Sequence, residues 1–277
     1  MTNICGWWLI AATMLILPGC NQSKPEGTSM AITTQISQPE WQALENKRVV
    51  FGHQSVGGNI LNGVERLAAK YGVNLDIREQ RTAPAAKGIN HFFIGNNGDP
   101  LSKIKDFAAA IDTGAAQSAD VAMMKLCYAD FNAATDARQV ANAYITNLES
   151  LAQRHPETNF VAVTVPLMAV QTGPKAWIKR LIGKQPNGYV DNLRRAEFNT
   201  LLRERYLSTG RLFDLARAEA GSTGKYCMAQ VGDQAVETLC PDLTNDGGHL
   251  NEHGQELVAT NFLSFISSLA TRQAVAK

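Results

Sequence analysis

Short, nearly uninterrupted apolar runs recur along the chain, each followed by a stretch with apolar residues at helical spacing. This alternation constrains the fold more than any other feature. The runs lie at residues 48–51, 73–77, 91–94, 121–126, 159–165 and 212–215. Between them, Ile60, Val64, Leu67 and Ala68 mark one helix. Asp99-Pro100 opens another, with a stripe of Leu101, Ile104, Phe107, Ala108 and Ile111, because proline suits a first helical turn. Further helices are predicted at 137–154 and 193–206, and a last one carries Leu257, Val258, Phe262, Phe265, Ile266 and Leu269. Strands that are apolar throughout are buried on both faces, which requires a parallel sheet covered by helices on either side. The expected fold is therefore α/β, a three-layer α/β/α sandwich around a parallel sheet of about five strands. Such sheets bind ligands at the carboxyl ends of their strands, so chemistry is expected just after Phe51, Ile94, Leu126 and Val165.

The 277 residues suffice for one domain with a sizeable core, and 45% hydrophobic against 18% charged residues is a globular balance. A net charge of +1 gives no electrostatic basis for a nucleic-acid partner. The N-terminus differs from the rest. An apolar run at 7–17 is too short for an ordinary membrane span and ends in Leu17-Pro18-Gly19-Cys20, which resembles a bacterial lipobox. That resemblance implies a signal peptide at 1–19, a lipidated Cys20, a polar tether at 20–40 and a folded domain at 41–277. No Lys or Arg precedes the run, and an ordinary cleaved signal is the alternative. Asn21 after the cysteine points to the outer membrane, facing the periplasm or the surface.

Export implies an oxidising compartment. Cys227 and Cys240 bracket a short polar segment read as a loop closed by a disulfide, a closure that contributes roughly 3 kcal/mol. Cys127 lies in an apolar run and reads as a buried free thiol. With no C-x-x-C pair, the cysteines do not suggest a metal site.

Two polar segments can carry chemistry. The first, Phe51-Gly52-His53-Gln54-Ser55-Val56-Gly57-Gly58, follows the first strand. A serine at a strand-to-helix turn can project its hydroxyl above the sheet while its backbone N–H, at the helix start, stabilises an oxyanion. Ser55 can equally serve as a helix cap. The second is Asn245-Asp246-Gly247-Gly248-His249-Leu250, before the last helix. Here Asp246 can accept the Nδ1 proton of His249 and leave Nε2 as a base; both residues can also merely serve the helix start.

Together the segments resemble the SGNH (GDSL-like) hydrolase family, most closely in Asp246-Gly-Gly-His249-Leu-Asn-Glu-His-Gly254. The resemblance implies a flavodoxin-like fold and a triad of Ser55 as nucleophile, His249 as base and Asp246 as its orienting acid. It implies no cofactor and no metal. The oxyanion donors would be the N–H groups of Ser55 and Gly98, with Gly95 as the second choice. Two departures stand out. His53-Gln54 replaces the Gly-Asp usual before the serine, and Ala129 falls where the family's oxyanion asparagine belongs. Asn97, Asn132 and Gln54 are candidate replacements. These three, with His53 and Trp177, are the candidate substrate contacts.

The function this implies is hydrolysis of O-acyl esters, acetyl among them, on envelope or environmental carbohydrate or lipid. The chain would reach the membrane through its lipid anchor. The alternatives are a non-catalytic glycan-binding or assembly lipoprotein with a degraded site, and an acyltransferase using the same triad. Three features stay outside that scheme. His249 and His253 share a helical spacing but lack a third metal ligand. Lys125 falls inside a buried strand, where it needs a carboxylate partner or a wetter edge. The segment 166–192 carries Trp177 among Lys175, Lys179, Arg180 and Lys184, and reads as a lid, a membrane-facing patch or a solvated basic helix.

Overall fold

A computed structural model of the chain describes residues 1–2, 35–83, 86–186, 188–222, 224–231 and 233–269. The expected signal segment, Cys20 and most of the tether lie outside the described residues. The larger of two compact units, Ile32–Lys277, holds every element below.

Six strands form one sheet: β1 (Arg48–His53), β2 (Ile77–Glu79), β3 (Gly88–Phe93), β4 (Val121–Met124), β5 (Asn159–Val163) and β6 (Leu212–Phe213). Their order is β2-β3-β1-β4-β5-β6, and every pairing is parallel. Without the short edge strand β2, this is the doubly wound 2-1-3-4-5 order of flavodoxin-like sheets, whose topological switch falls between β1 and β4. The helices are α1 (Gln38–Leu44), α2 (Val56–Tyr71), α3 (Pro100–Ala110), α4 (Ala137–Arg154), α5 (Gly173–Leu181), α6 (Tyr189–Tyr206), α7 (Leu215–Ala220) and α8 (Glu252–Ser268).

The strands feed two cores by simple alternation, since successive side chains point to opposite faces. Val49, Phe51, Val121, Met123, Val161 and Val163 pack with α1, α2, α7 and α8 on one face. Val50, Ala122, Met124, Phe160 and Ala162 pack with α3, α4 and α6 on the other. This is the three-layer sandwich that the sequence pattern implies. At Gly63 the close packing of α2 on α8 becomes backbone contact, because a Cβ there would collide with the Gln255 carbonyl.

Several boundaries differ from expectation, among them the third strand, which begins at Gly88, and α6, which begins at Tyr189. The second strand begins at Ile77, where pairing with Ile89 starts, and not at Val73; Val73 and Leu75 pack on the core from the connection before it. The folded unit also reaches further toward the N-terminus than residue 41. Ile36, Trp41 and Leu44 are buried, and Glu40 accepts the Ser37 N–H at 2.7 Å at the start of α1.

Beyond α7 the chain forms two small antiparallel hairpins, β7 (Gly221–Ser222) with β8 (Lys225–Tyr226), and β9 (Met228–Val231) with β10 (Gln234–Glu237). Cys227 and Cys240 are bridged, with Cα atoms 5.3 Å apart. The segment read as a loop is thus a hairpin closed at its base. Cys127 is free and buried.

Candidate active site

The loop before α8 is built to hold one histidine. A β-bridge between Thr244 and Leu250 closes it. Asn251 caps α8 by accepting the Gly254 N–H at 2.9 Å, and a Cβ on Gly254 would strike the Leu243 carbonyl. Inside the loop, Asp246 Oδ1 accepts the N–H groups of Gly248 and His249 at 2.9 and 2.8 Å. Its Oδ2 lies 2.7 Å from His249 Nδ1. Desolvation pulls the Asp246 carboxyl upward, but the His249 bond and the two backbone bonds outweigh it and hold the group well below the usual carboxylate range. An ionised carboxylate only accepts, so Nδ1 is the donor, and in the neutral imidazole Nε2 then keeps its lone pair.

Ser55 sits at the N-cap position of α2, directly after β1, and its side chain makes no capping hydrogen bond. That removes the capping role. At the start of α2 the Gly57 N–H is taken by the Gln54 carbonyl at 2.8 Å, and the Ser55 N–H lies at this helix N-terminus. One turn on, Asn59 Oδ1 accepts the Leu250 N–H at 3.2 Å, which ties the start of α2 to the residue after His249. The Ser55 turn and the histidine loop therefore meet at the carboxyl end of the sheet. Among the described residues no hydrogen bond joins Ser55 to His249. The group beside the imidazole is the Tyr128 hydroxyl, 3.3 Å from Nε2. Tyr128 follows β4, so β1 and β4 deliver Ser55 and Tyr128 on either side of the topological switch.

The expected oxyanion glycines need correction. Gly98 donates its N–H to Asp130 Oδ1 at 2.8 Å, and Gly95 donates to Asp106 Oδ2 at 2.9 Å. Both amides are committed to carboxylates. Asp130 also accepts the Cys127 N–H at 2.6 Å and pairs with Lys103 at 2.7 Å, with both side chains fully buried. This carboxylate thereby fastens the loop after β3 to the loop after β4. Asn97 Oδ1 accepts from Lys103 Nζ at 2.9 Å, which fixes the amide of this exposed residue. Ala129 is exposed too and carries no donor.

Other sequence candidates resolve differently. Gln54 donates to the carbonyls of Ile94 and Gly95 at 3.0 and 3.1 Å, so it tethers the β3 loop. His53 is 1% exposed and cannot line an open pocket. Its Nε2 meets His91 Nδ1 at 3.0 Å, and burial, with the nearby Lys125 charge, lowers its pKa to about 3. Asn132 is exposed, and its Oδ1 accepts the Ala134 N–H. Trp177 is 63% exposed on α5. Lys125 is fully buried without an ion pair: its Nζ donates to the Leu126 carbonyl at 3.1 Å and lies 3.5 Å from Cys127 Sγ. Burial lowers the pKa of this amine. Among the described residues no group of three His, Cys, Asp or Glu is placed to hold a metal ion.

Sequence reasoning did not single out Tyr128, Asn59 or Arg195. The buried Arg195 guanidinium donates to the Tyr128 carbonyl at 2.8 and 3.1 Å and to that of Phe131 at 3.2 Å, so it supports the turn that carries Tyr128. For Tyr128 the one available signal was its place beside the unusual Ala129.

No family model matches the chain, and no curated protein does. Solved structures with a similar chain path include a member of the lipolytic protein G-D-S-L family from Veillonella parvula DSM 2008. It shares 15% identity over 80% of this chain and 98% of that one, with a TM-score of 0.45. A psychrotrophic esterase, EstA, from Pseudoalteromonas sp. shares 10% over 80% and 97%, with a TM-score of 0.43. The periplasmic domain of a lipopolysaccharide acetyltransferase from Salmonella ser. Paratyphi A shares 11% over 85% and 91%, with a TM-score of 0.44. What this site can do rests on its own residues.

Proposed function

We propose that the chain is a serine esterase that hydrolyses O-acyl esters on envelope or environmental carbohydrate or lipid. The observation that carries this is the Asp246–His249 pair, locked at Nδ1, with Nε2 turned toward the Tyr128 hydroxyl and the histidine tied through Leu250 to the helix that Ser55 begins. Ser55 Oγ attacks the ester carbonyl while His249 Nε2 takes its proton. The tetrahedral oxyanion is held at the N-terminus of α2, where the Ser55 N–H lies. Collapse expels the alcohol, which receives the proton from His249, and water then releases the acid by the same steps in reverse. In this proposal Cys20 carries the lipid anchor that holds the protein at the outer membrane.

A second reading, a glycan-binding protein with a degraded site, is favoured by Ala129 and by the two committed glycine amides. Turnover of a short-chain activated ester separates the two. The esterase predicts hydrolysis that Ser55→Ala abolishes, whereas a binder predicts no Ser55-dependent rate at all. An acyltransferase would move the acyl group to an added sugar hydroxyl in the same assay.

A further inference from the structure

Helix α5 buries almost none of its apolar side chains. Trp177, Ile178 and Leu181, with Ile182 directly after the helix, are 63, 50, 70 and 60% exposed. Their spacing, two i,i+4 pairs side by side, gathers them on one face, while Ala176 on the roughly opposite face is 3% exposed against the domain. Isolated exposed apolar residues are ordinary, but four large ones on a single face are not. The charge pattern is one-sided as well. Lys175, Lys179, Arg180 and Lys184 fall within and just after the helix, and between Glu157 and Asp191 the chain has no carboxylate. At nine residues the helix is far too short to cross a bilayer. A short basic helix with tryptophan on its apolar face lies in the plane of an interface.

The helix is rooted at the candidate active site. Shortly before it, Ala169 donates its N–H to the Gly247 carbonyl at 2.8 Å, inside the loop that holds Asp246 and His249. Where the chain returns to α6, Gly188 packs so closely on the Ala169 carbonyl that a Cβ would stand 2.7 Å from it. Both ends of the segment are thus pinned beside the catalytic loop.

We infer that α5 is a docking element that seats the domain on an anionic lipid surface. On the esterase reading, on which this further step rests, it brings the site to acyl esters held at that surface. Lys175 and Lys184 meet lipid phosphates while Trp177, Ile178, Leu181 and Ile182 enter the headgroup–acyl boundary.

Hydrogen exchange of the full chain, read by mass spectrometry on the peptide spanning α5, tests this. Total vesicle binding is not the readout, because the N-terminal apolar segment can bind on its own. Vesicles of phosphatidylglycerol and phosphatidylcholine should slow α5 exchange by about tenfold or more; phosphatidylcholine alone should not. Ile178→Glu/Leu181→Glu should abolish the effect while exchange in the sheet strands stays unchanged. Unaltered α5 exchange, equal protection on neutral vesicles, or protection that survives the double substitution would each overturn the inference. So would protection that grows with protein concentration without vesicles, which would assign the face to a second copy of the chain. The measurement involves no turnover, so a failed Ser55 assay refutes the esterase reading and leaves the docking result standing.

Discussion

Tyr128 and His249 meet edge-on, ring centroids 5.6 Å apart, with the phenol oxygen 3.3 Å from Nε2 and 3.5 Å from Nδ1. Burial, reinforced by the Asp246 charge, pushes the Tyr128 hydroxyl up from its ordinary value, so at neutral pH it remains an O–H donor. In the proposed mechanism it stands beside the nitrogen that receives the Ser55 proton. Tyr128→Phe should lower kcat up to about tenfold, the worth of one hydrogen bond, with KM little changed. A raised KM at unchanged kcat would place the hydroxyl on the substrate and not on the imidazole. Gly248 packs on the same ring, where an added Cβ would come 2.9 Å from Cζ, so Gly248→Ala should disturb this contact from the other side.

Asp246→Asn should cost ester hydrolysis on the order of 10³–10⁴-fold in kcat, because the imidazole loses its orientation and its counter-charge. Ser55→Ala should reduce the rate to background. Asp246 is held well below the usual carboxylate range by His249 and two backbone N–H groups, so it stays ionised throughout ordinary assay conditions. Asp246 itself should therefore contribute no limb to the rate-versus-pH curve in that range. An acid limb that vanishes in Asp246→Asn would show that this carboxyl titrates there.

Breaking the buried pair at Asp130 should be costly. Asp130→Asn would leave the fully buried Lys103 ammonium uncompensated, a change worth about 3–5 kcal/mol. It would also weaken the bonds from Gly98 and Cys127. Denaturant unfolding should show an unfolding free energy lower by that amount, read as a lower midpoint at unchanged slope. A change under about 1 kcal/mol, the range of exposed pairs, would mean that water reaches the site.

Glu219 supplies a pH signature. It is fully buried, accepts the Leu167 N–H at 2.6 Å, and burial raises its pKa to about 8 against the partial offset of that bond and of Lys125 and Arg195. The folded state therefore holds this proton more tightly than the unfolded state does. The resulting stability is complete below about 4.5 and is lost as pH rises through about 8. Relative to Glu219→Gln, which keeps an acceptor for Leu167, the wild type should lose at most about 1.4 kcal/mol per pH unit across that window. Parallel stability curves for the two proteins would refute the shift.

The parts legible in the sequence are those set by local pattern. The parallel strands announced themselves because both faces are apolar, and Asp246 and His249 because their three-residue spacing is itself the geometry. The rest depended on partners far away in the chain. Gly98 has the left-handed backbone of a loop glycine, φ 87°, but nothing nearby shows that a carboxylate 32 residues on takes its N–H. Lys125 drew attention as a strand lysine, yet Lys103, inconspicuous in a helical pattern, owns the buried ion pair. His53 adjoins the nucleophile turn in sequence but, as the last residue of β1, turns into the interior.

The two halves of the candidate centre come from opposite ends of the folded domain. Asp246 and His249 belong to one short loop and can find each other early. Ser55 meets them only after α8 has packed against α2, an encounter of segments nearly two hundred residues apart. Contacts of that span form late, because closing so long a loop costs entropy before any burial offsets it. On the esterase proposal, a chain emerging N-terminus first holds Ser55 without its base until α8 has docked, so activity would report that this domain has folded.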